Sequence, residues 1–305
     1  MSGVRSLVAI SRTVADLDRT EAFYRDGLGF ERAAPPEPLP AAMGQAMGQA
    51  MGLAEAQGRR LWMRVGGQRV AFLAFDPPGL PYPEPRAATD PIFQHIAIPV
   101  RDMGAAMRRL AAVDPAAISR GGAQTLPPAS GGVTAFKFRD PDGHPVELIH
   151  FPDGPAALRW RDAPGLFLGI DHSAITVTDL DAALAFYVGV LGLHVGSRGL
   201  NRGPEQGRLD GLPDPEVDVL GLVPIHATPH VELLHYRRPA ARRGAAAFGP
   251  RDRSTTRFVF ASADVPGQAR AVRQAGYPAG LSQDGSVAYA QGPDGHGLLL
   301  VRASG

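Results

Sequence analysis

Four times along the chain, alternating apolar and polar residues give way to an aspartate and then to apolar residues at helical spacing. The stretches are LVAISRTVADLDRTEAFY, FQHIAIPVRDMGAAMRRL, GIDHSAITVTDLDAALAFY and TRFVFASADVPGQARAVRQAG, turning at Asp16, Asp102, Asp179 and Asp264. Period-two alternation predicts a strand with one buried face, and the three-to-four spacing that follows predicts an amphipathic helix. An aspartate at the junction suits a helix N-cap, where its carboxylate accepts from backbone N–H groups that have no partner within the helix. Behind each helix the pattern returns to strand-like runs. They cover Arg60–Val65 and Gln68–Phe75, Gly132–Phe138 and Pro145–Phe151, Val217–Val223 and Pro229–Tyr236, and Ser286–Gln291 and Gly297–Arg302. Gly66-Gly67 and the turns DPDGH and PDGH join three of these pairs. The predicted unit is βαβββ, repeated four times at a spacing of roughly 65–90 residues, which is a duplicated module rather than a solenoid.

Two stretches break the pattern. Pro152–Leu166 is polar and bears Pro and Gly, as an interdomain linker would. It divides the chain into a first domain, 1–152 (modules 4–76 and 92–151), a linker, 153–166, and a second domain, 167–305 (modules 167–237 and 255–303). Pro35–Arg60 reads as irregular and contains MGQAMGQAMG. On a helix Met43, Met47 and Met51 form one soft apolar stripe, either a lid over an apolar substrate or a surface insertion grown by repeat slippage.

Composition narrows the chemistry. A 44% apolar and 20% charged chain of 305 residues has room for two globular cores. With 31 Lys and Arg against 30 Asp and Glu, nothing suggests nucleic acid or an anionic membrane as partner. Zero Cys excludes disulfides, thiolate ligands and a Cys nucleophile. No apolar run spans a bilayer, and Arg5, Arg12 and Asp16 stand where a signal peptide has its apolar core, so a cytoplasmic protein is expected.

Seven residues before each turn aspartate stand Ala9, His95, His172 and Arg257. At the matching position of each last strand stand Ala71, Glu147, Glu232 and Leu299. The second and third units therefore carry one His and one Glu each, and the first and fourth carry neither. A Glu within a strand of core character is costly unless paired, and a cation is one way to satisfy it. Two His and two Glu suit Zn, Ni, Co, Mn or Fe(II). One pair alone holds such a metal poorly, so the two units must pool their ligands. His144 and His296, in the PDGH turns, are expected to bond backbone, and His235, of opposite parity to Glu232, to point away.

The phrases H-x-A-I-x-V-x-D-L and DPDGHPVEL resemble the vicinal oxygen chelate superfamily, which includes glyoxalase I, extradiol dioxygenases and fosfomycin and bleomycin resistance proteins. The resemblance covers nearly the whole chain. It implies an α+β fold in which four βαβββ modules form two open, barrel-like domains with helices outside, and one divalent metal held by His95, Glu147, His172 and Glu232. It further implies pairing of module two with three and of one with four, with the one–four site lost; pairing of one with two and three with four would instead require a homodimer. Arg257 is then expected to pair with a nearby carboxylate or to bind an anion.

A complete His/Glu/His/Glu set resembles glyoxalase I. It implies an isomerase or lyase that stabilises an enediolate or enolate, with Glu147 or Glu232 as the base. The alternative is an Fe(II) catechol dioxygenase with Glu232 off the metal and Tyr236 and His230 as acid–base groups. A non-catalytic binding or resistance protein is a second alternative. In related folds the segment after the third helix overlies the pocket, which makes Asn201, Gln206 and Arg208, with Tyr236, candidate contacts to a small-molecule substrate.

Overall fold

The computed structural model describes residues 3–52, 54–226, 229–241 and 248–303. The first unit runs β1 (Ser6–Thr13), α1 (Leu17–Leu28), β2 (Glu31–Pro38), α2 (Ala41–Met51), β3 (Gln57–Val65) and β4 (Gln68–Asp76). The second runs β5 (Gln94–Pro99), α3 (Met103–Ala111), β6 (Ala116–Ala117), β7 (Gln124–Thr125), β8 (Thr134–Arg139) and β9 (Pro145–His150). A single turn, α4 (Pro155–Leu158), precedes the third: β10 (His172–Thr176), α5 (Leu180–Leu184), β11 (His194–Arg202), α6 (Pro204–Asp210), β12 (Glu216–Val223) and β13 (His230–Arg238). The fourth is β14 (Thr256–Ser262), α7 (Val265–Gln274), β15 (Ala279–Leu281), β16 (Val287–Gln291) and β17 (Gly297–Arg302). The α5 helix continues as a π-helical turn over Ala185–Val190. No described helix is long and apolar enough to cross a membrane.

Each turn aspartate caps its helix. Asp16 accepts from the backbone N–H of Asp18 and Arg19, Asp102 from Ala105, Asp179 from Ala182 and Asp264 from Gly267. The strands that the pattern left unplaced, β2, β6, β7, β11 and β15, lie at or beside sheet edges. The two long ones, β2 and β11, are polar or proline-bearing because an edge strand buries little side chain, and one side of its backbone needs no partner. Pro35 and Pro36 are tolerated in β2 for that reason.

Two sheets form the molecule. One has the order β15-β16-β17-β14-β1-β4-β3-β2; the other has the order β11-β12-β13-β10-β5-β9-β8-β6, with β7 also on β8. Each combines one unit from either side of residues 153–166: first with fourth, and second with third. The seams are antiparallel, β1 on β14 and β10 on β5. Alternation decides which side chains meet. Ile96, Ile98, Ile175 and Leu233 enter a core shared with Phe23, Ala106 and Phe186 of the helices. His95, Ala97, His172 and Ala174 take the opposite face.

The PDGH turns fasten one sheet to the other. His144 Nε2 lies 2.8 Å from the Thr13 carbonyl at the end of β1, and His296 Nε2 lies 2.9 Å from the Thr176 carbonyl at the end of β10. Both rings are buried. Burial pushes His144 down to about 3 and also lowers His296, so both stay neutral in the fold. Unfolded, each takes up a proton near its ordinary value of about 6.5. Because the unfolded state then binds more protons, the stability that neutral His144 provides is complete above that pH and is lost as pH falls toward 3. The thermal midpoint is expected to drop across that window and to drop less steeply in His144→Gln; equal slopes by pH-resolved calorimetry would remove His144 as the cause.

The methionine stretch is neither lid nor surface insertion. Helix α2 buries Met43, Ala46 and Met47 in one apolar cluster with Ala9, Ala71, Val259 and Leu299 on the first–fourth sheet. It packs so closely that a Cβ on Gly280 of β15 would lie 2.2 Å from the Ala46 carbonyl oxygen, an approach only glycine permits. Repetitive Gly, Ala and Gln look like filler in sequence. Here the small residues bring the helix down onto β15, and Gln49 and Gln45 side chains accept from the Leu281 and Gln283 backbone N–H groups.

Candidate metal centre

Strand register explains why the chemistry converges on one sheet. Across β13, β10, β5, β9 and β8, one rung reads His230, His172, Ala97, Glu147, Lys137. The next rung of the same face reads Glu232, Ala174, His95. Ala97 and Ala174 thus stand between the larger groups, and their small side chains leave a hollow into which imidazoles and carboxylates turn.

The result is tight. His95 Nε2 lies 3.1 Å from Glu147 Oε2, and His172 Nε2 lies 3.6 Å from the same oxygen. The ligand atoms of His95, Glu147 and His172 all fall within 4.8 Å of one another, and all three residues are buried. Glu232 stands outside that group. Its Oε2 is 3.3 Å from His172 Nε2, its Oε1 is 3.3 Å from His230 Nε2, and its side chain is 18% exposed. All of these residues belong to one chain, so no second copy is needed to assemble them.

Asp171 orients His172: its Oδ2 lies 3.0 Å from His172 Nδ1, which leaves Nε2 facing Glu147 and Glu232. Its other oxygen lies 3.3 Å from Arg159. Burial acts to raise the Asp171 pKa, but the His172 hydrogen bond and nearby cations bring it down to about 2. For Glu147 burial also works upward, and Lys137, His95 and His172 outweigh it, holding the carboxyl well below its usual range. Glu232 is lowered in the same way, against burial, by His172 and His230. Burial depresses His95. His172 rises well above its ordinary value because Glu232, Asp171 and Glu147 overcome burial.

This donor set fits a divalent transition metal. Both ring nitrogens of buried His95 lack a hydrogen-bond partner, although Nε2 faces a carboxylate. A metal with bonds of about 2.1 Å spaces neighbouring ligand atoms roughly 3.0–3.4 Å apart, close to the separations seen here. An Asp behind a His is the usual outer partner of such a ligand.

The residues border a cavity of about 360 Å³, with apolar walls that include Leu126, Val133, Leu209 and Val217. Asn201, Gln206 and Tyr236 are in its wall. Arg208 is not. It lies on the half-exposed side of α6, giving its Nε to Gln124 at 2.6 Å and its Nη2 to Glu205 at 3.2 Å. His235 turns away toward Asp218, 3.4 Å distant. Lys137 did not emerge from the sequence reading, yet it is buried in the cavity wall directly opposite Glu147. The available signal was a lysine between Phe136 and Phe138 on a strand otherwise expected to be core.

A larger hollow of about 710 Å³ lies between the Gly66-Gly67 turn and residues 163–168. Its arginines are already engaged: Arg64 with Glu31, Arg109 with backbone carbonyls and Arg159 with Asp171. It holds no group comparable to the His–Glu cluster.

The equivalent face of the first–fourth sheet is filled rather than hollow. Ala9, Ala71 and Leu299 occupy the ligand positions and pack with α2. Arg257 is fully buried there and, among the described residues, pairs with no carboxylate, contrary to the simplest expectation. It donates to Thr13 Oγ1 at 2.9 Å and to the Pro250 carbonyl, and stacks 5.8 Å from the Phe75 ring. Burial lowers it to about 10, still protonated at neutral pH.

Comparisons with known proteins agree with this architecture. Maize (Zea mays) glyoxalase I superposes with a TM-score of 0.60 at 17% identity, covering 98% of this chain and 92% of that one. A point variant of that enzyme gives 0.62 at 17% identity, with coverage of 98% and 92%. A putative dioxygenase from Bacillus subtilis gives 0.60 at 12% identity, covering 99% and 86%. No curated protein matches by sequence. At these identities the likeness speaks for the fold. The sequence profile of the glyoxalase/bleomycin resistance protein/dioxygenase superfamily matches residues 6–148 and 169–298. With most of its length matched, and with paired βαβββ units in each sheet, the chain belongs to the glyoxalase/bleomycin resistance protein/dioxygenase superfamily.

Proposed function

We propose that the chain is a metal-dependent isomerase or lyase acting on a small molecule with two adjacent oxygens, its metal held by His95, His172 and Glu147 with Glu232 alongside. A divalent ion there would supply Lewis acidity, drawing electron density from the substrate oxygens and making the neighbouring C–H more acidic. The observation that carries the reading is the inequality of the two glutamates. Glu147 is held between His95 and His172 with the Lys137 ammonium 3.9 Å away, as a fixed ligand should be. Among the described residues Glu232 contacts His172 and His230, and it keeps some exposure to the cavity, so it has the freedom to take a proton from a carbon beside the substrate oxygens and return it to that carbon or its neighbour.

The test is exchange of the α-proton into D₂O, followed by NMR with a panel of α-hydroxycarbonyls and thiohemiacetals. Glu232→Gln is expected to keep its metal and to lose roughly 10²–10⁴-fold in exchange rate, the usual contribution of a general base. Glu147→Gln is expected to lose metal and exchange together. Exchange at the wild-type rate in Glu232→Gln would sink the proposal.

One observation favours a second reading. The tight group consists of two His and one carboxylate, a pattern shared with Fe(II) oxygenases. Under that reading Glu232→Gln leaves oxygen consumption with catechols under Fe(II) largely intact, and the wild type shows no α-proton exchange.

A further inference from the structure

Lys137 is more than one half of a buried ion pair. Its Nζ lies 2.7 Å from Asp210 Oδ1 and 3.9 Å from Glu147 Oε1, the latter beyond hydrogen-bond reach. Asp210 is itself immobilised: Gln206 donates to its Oδ2 at 2.6 Å and the Tyr236 hydroxyl at 2.9 Å. An ammonium has three N–H groups. Among the described residues one is used, on Asp210, and the side chain borders the same cavity as the His–Glu cluster. A lysine that served only to neutralise Asp210 would have no need to face that cavity with donors to spare.

We propose that Lys137 is the anion-binding group of this cavity, which makes the ligand class a 2-oxo- or 2-hydroxycarboxylate with an apolar side chain. One carboxylate oxygen accepts from Lys137, the adjacent oxygens face His95, His172 and Glu147, and the hydrocarbon tail lies along Leu126, Val133, Leu209 and Val217. Lys137 and Glu147 share a rung, so the ligand's charged end lies directly beside the cluster. The inference rests on the metal site proposed above and adds to it the charge and shape of what binds.

The test is calorimetric titration of Co²⁺-loaded protein with 4-methyl-2-oxopentanoate and with its neutral ketol analogue, 1-hydroxy-4-methylpentan-2-one. Because Lys137→Met alone would leave Asp210 unpaired, the variant is the double Lys137→Met/Asp210→Asn, with Asp210→Asn as companion. In the double variant the acid is expected to bind about 10- to 100-fold more weakly, the usual value of one charge-assisted hydrogen bond, with the ketol changed less than about twofold. Asp210→Asn, which keeps the ammonium and removes its competitor, is expected to hold or strengthen the acid. Equal weakening of both ligands, or unchanged affinity for the acid, overturns the role of Lys137. Failure of wild-type protein to load Co²⁺ overturns the metal site, and this inference with it.

Discussion

Replacing His172 with alanine is expected to abolish tight binding of a divalent metal, and His95→Ala is expected to do the same. The two rings come from opposite sides of the β10–β5 seam and converge on a single oxygen of Glu147, so removing either leaves a two-residue fragment of the cluster. Loss of an outer-sphere partner typically costs about 10- to 100-fold in metal affinity, and loss of a ligand costs more. Asp171→Asn therefore supplies the graded comparison. It keeps all the proposed ligands but removes the carboxylate that holds His172 Nδ1, and is expected to fall within that 10- to 100-fold range. Elemental analysis after dialysis, with calorimetric titration of Co²⁺, measures all three variants. The wild type is expected to bind one ion per chain. Two equivalent ions, or undiminished affinity in His172→Ala, would contradict the assignment.

Met47→Ala is expected to lower the unfolding free energy by about 2–5 kcal/mol, the range for truncating a buried long aliphatic side chain and leaving part of the cavity unfilled. Met47 is fully buried in the cluster that α2 makes with Ala9, Ala71 and Leu299. Met51, four residues on, is only half-buried, and Met51→Ala is expected to cost less than about 1 kcal/mol. Urea titrations followed by circular dichroism read both. Equal and small losses would return α2 to the status of a dispensable insertion. A large loss at 47 alone supports α2 as the filling of a face that, on the other sheet, is left open for ligands. On that face alanines and a leucine stand where imidazoles and carboxylates stand on the other sheet.

The two glutamates and the buried lysine illustrate how far residue patterns carry. Glu147 and Glu232 occupy the same place in their units, and apart from His230, two residues before Glu232, nothing near either in sequence separates them. Their difference comes from Lys137, on the strand next to Glu147 but with no counterpart beside Glu232, where β12 presents Gly221. Arg208 shows the converse. Its neighbours suggested a pocket contact, but the helical turn of α6 sends Gln206 inward and Arg208 outward.

What the chain determined by itself was local and periodic. Alternation placed the inner strands, an aspartate ended each of the four first strands and capped the helix after it, and the absence of Cys limited any metal to nitrogen and oxygen ligands. These are short-range properties, set by backbone hydrogen bonding and by which face of a strand or helix avoids water. Only the tertiary structure decided that the second and third units share a sheet, that Ala97 and Ala174 leave a hollow between their rungs, and that α2 fills the corresponding space on the other sheet. Those outcomes depend on register between strands far apart in the chain, and register follows from the packing of both faces at once.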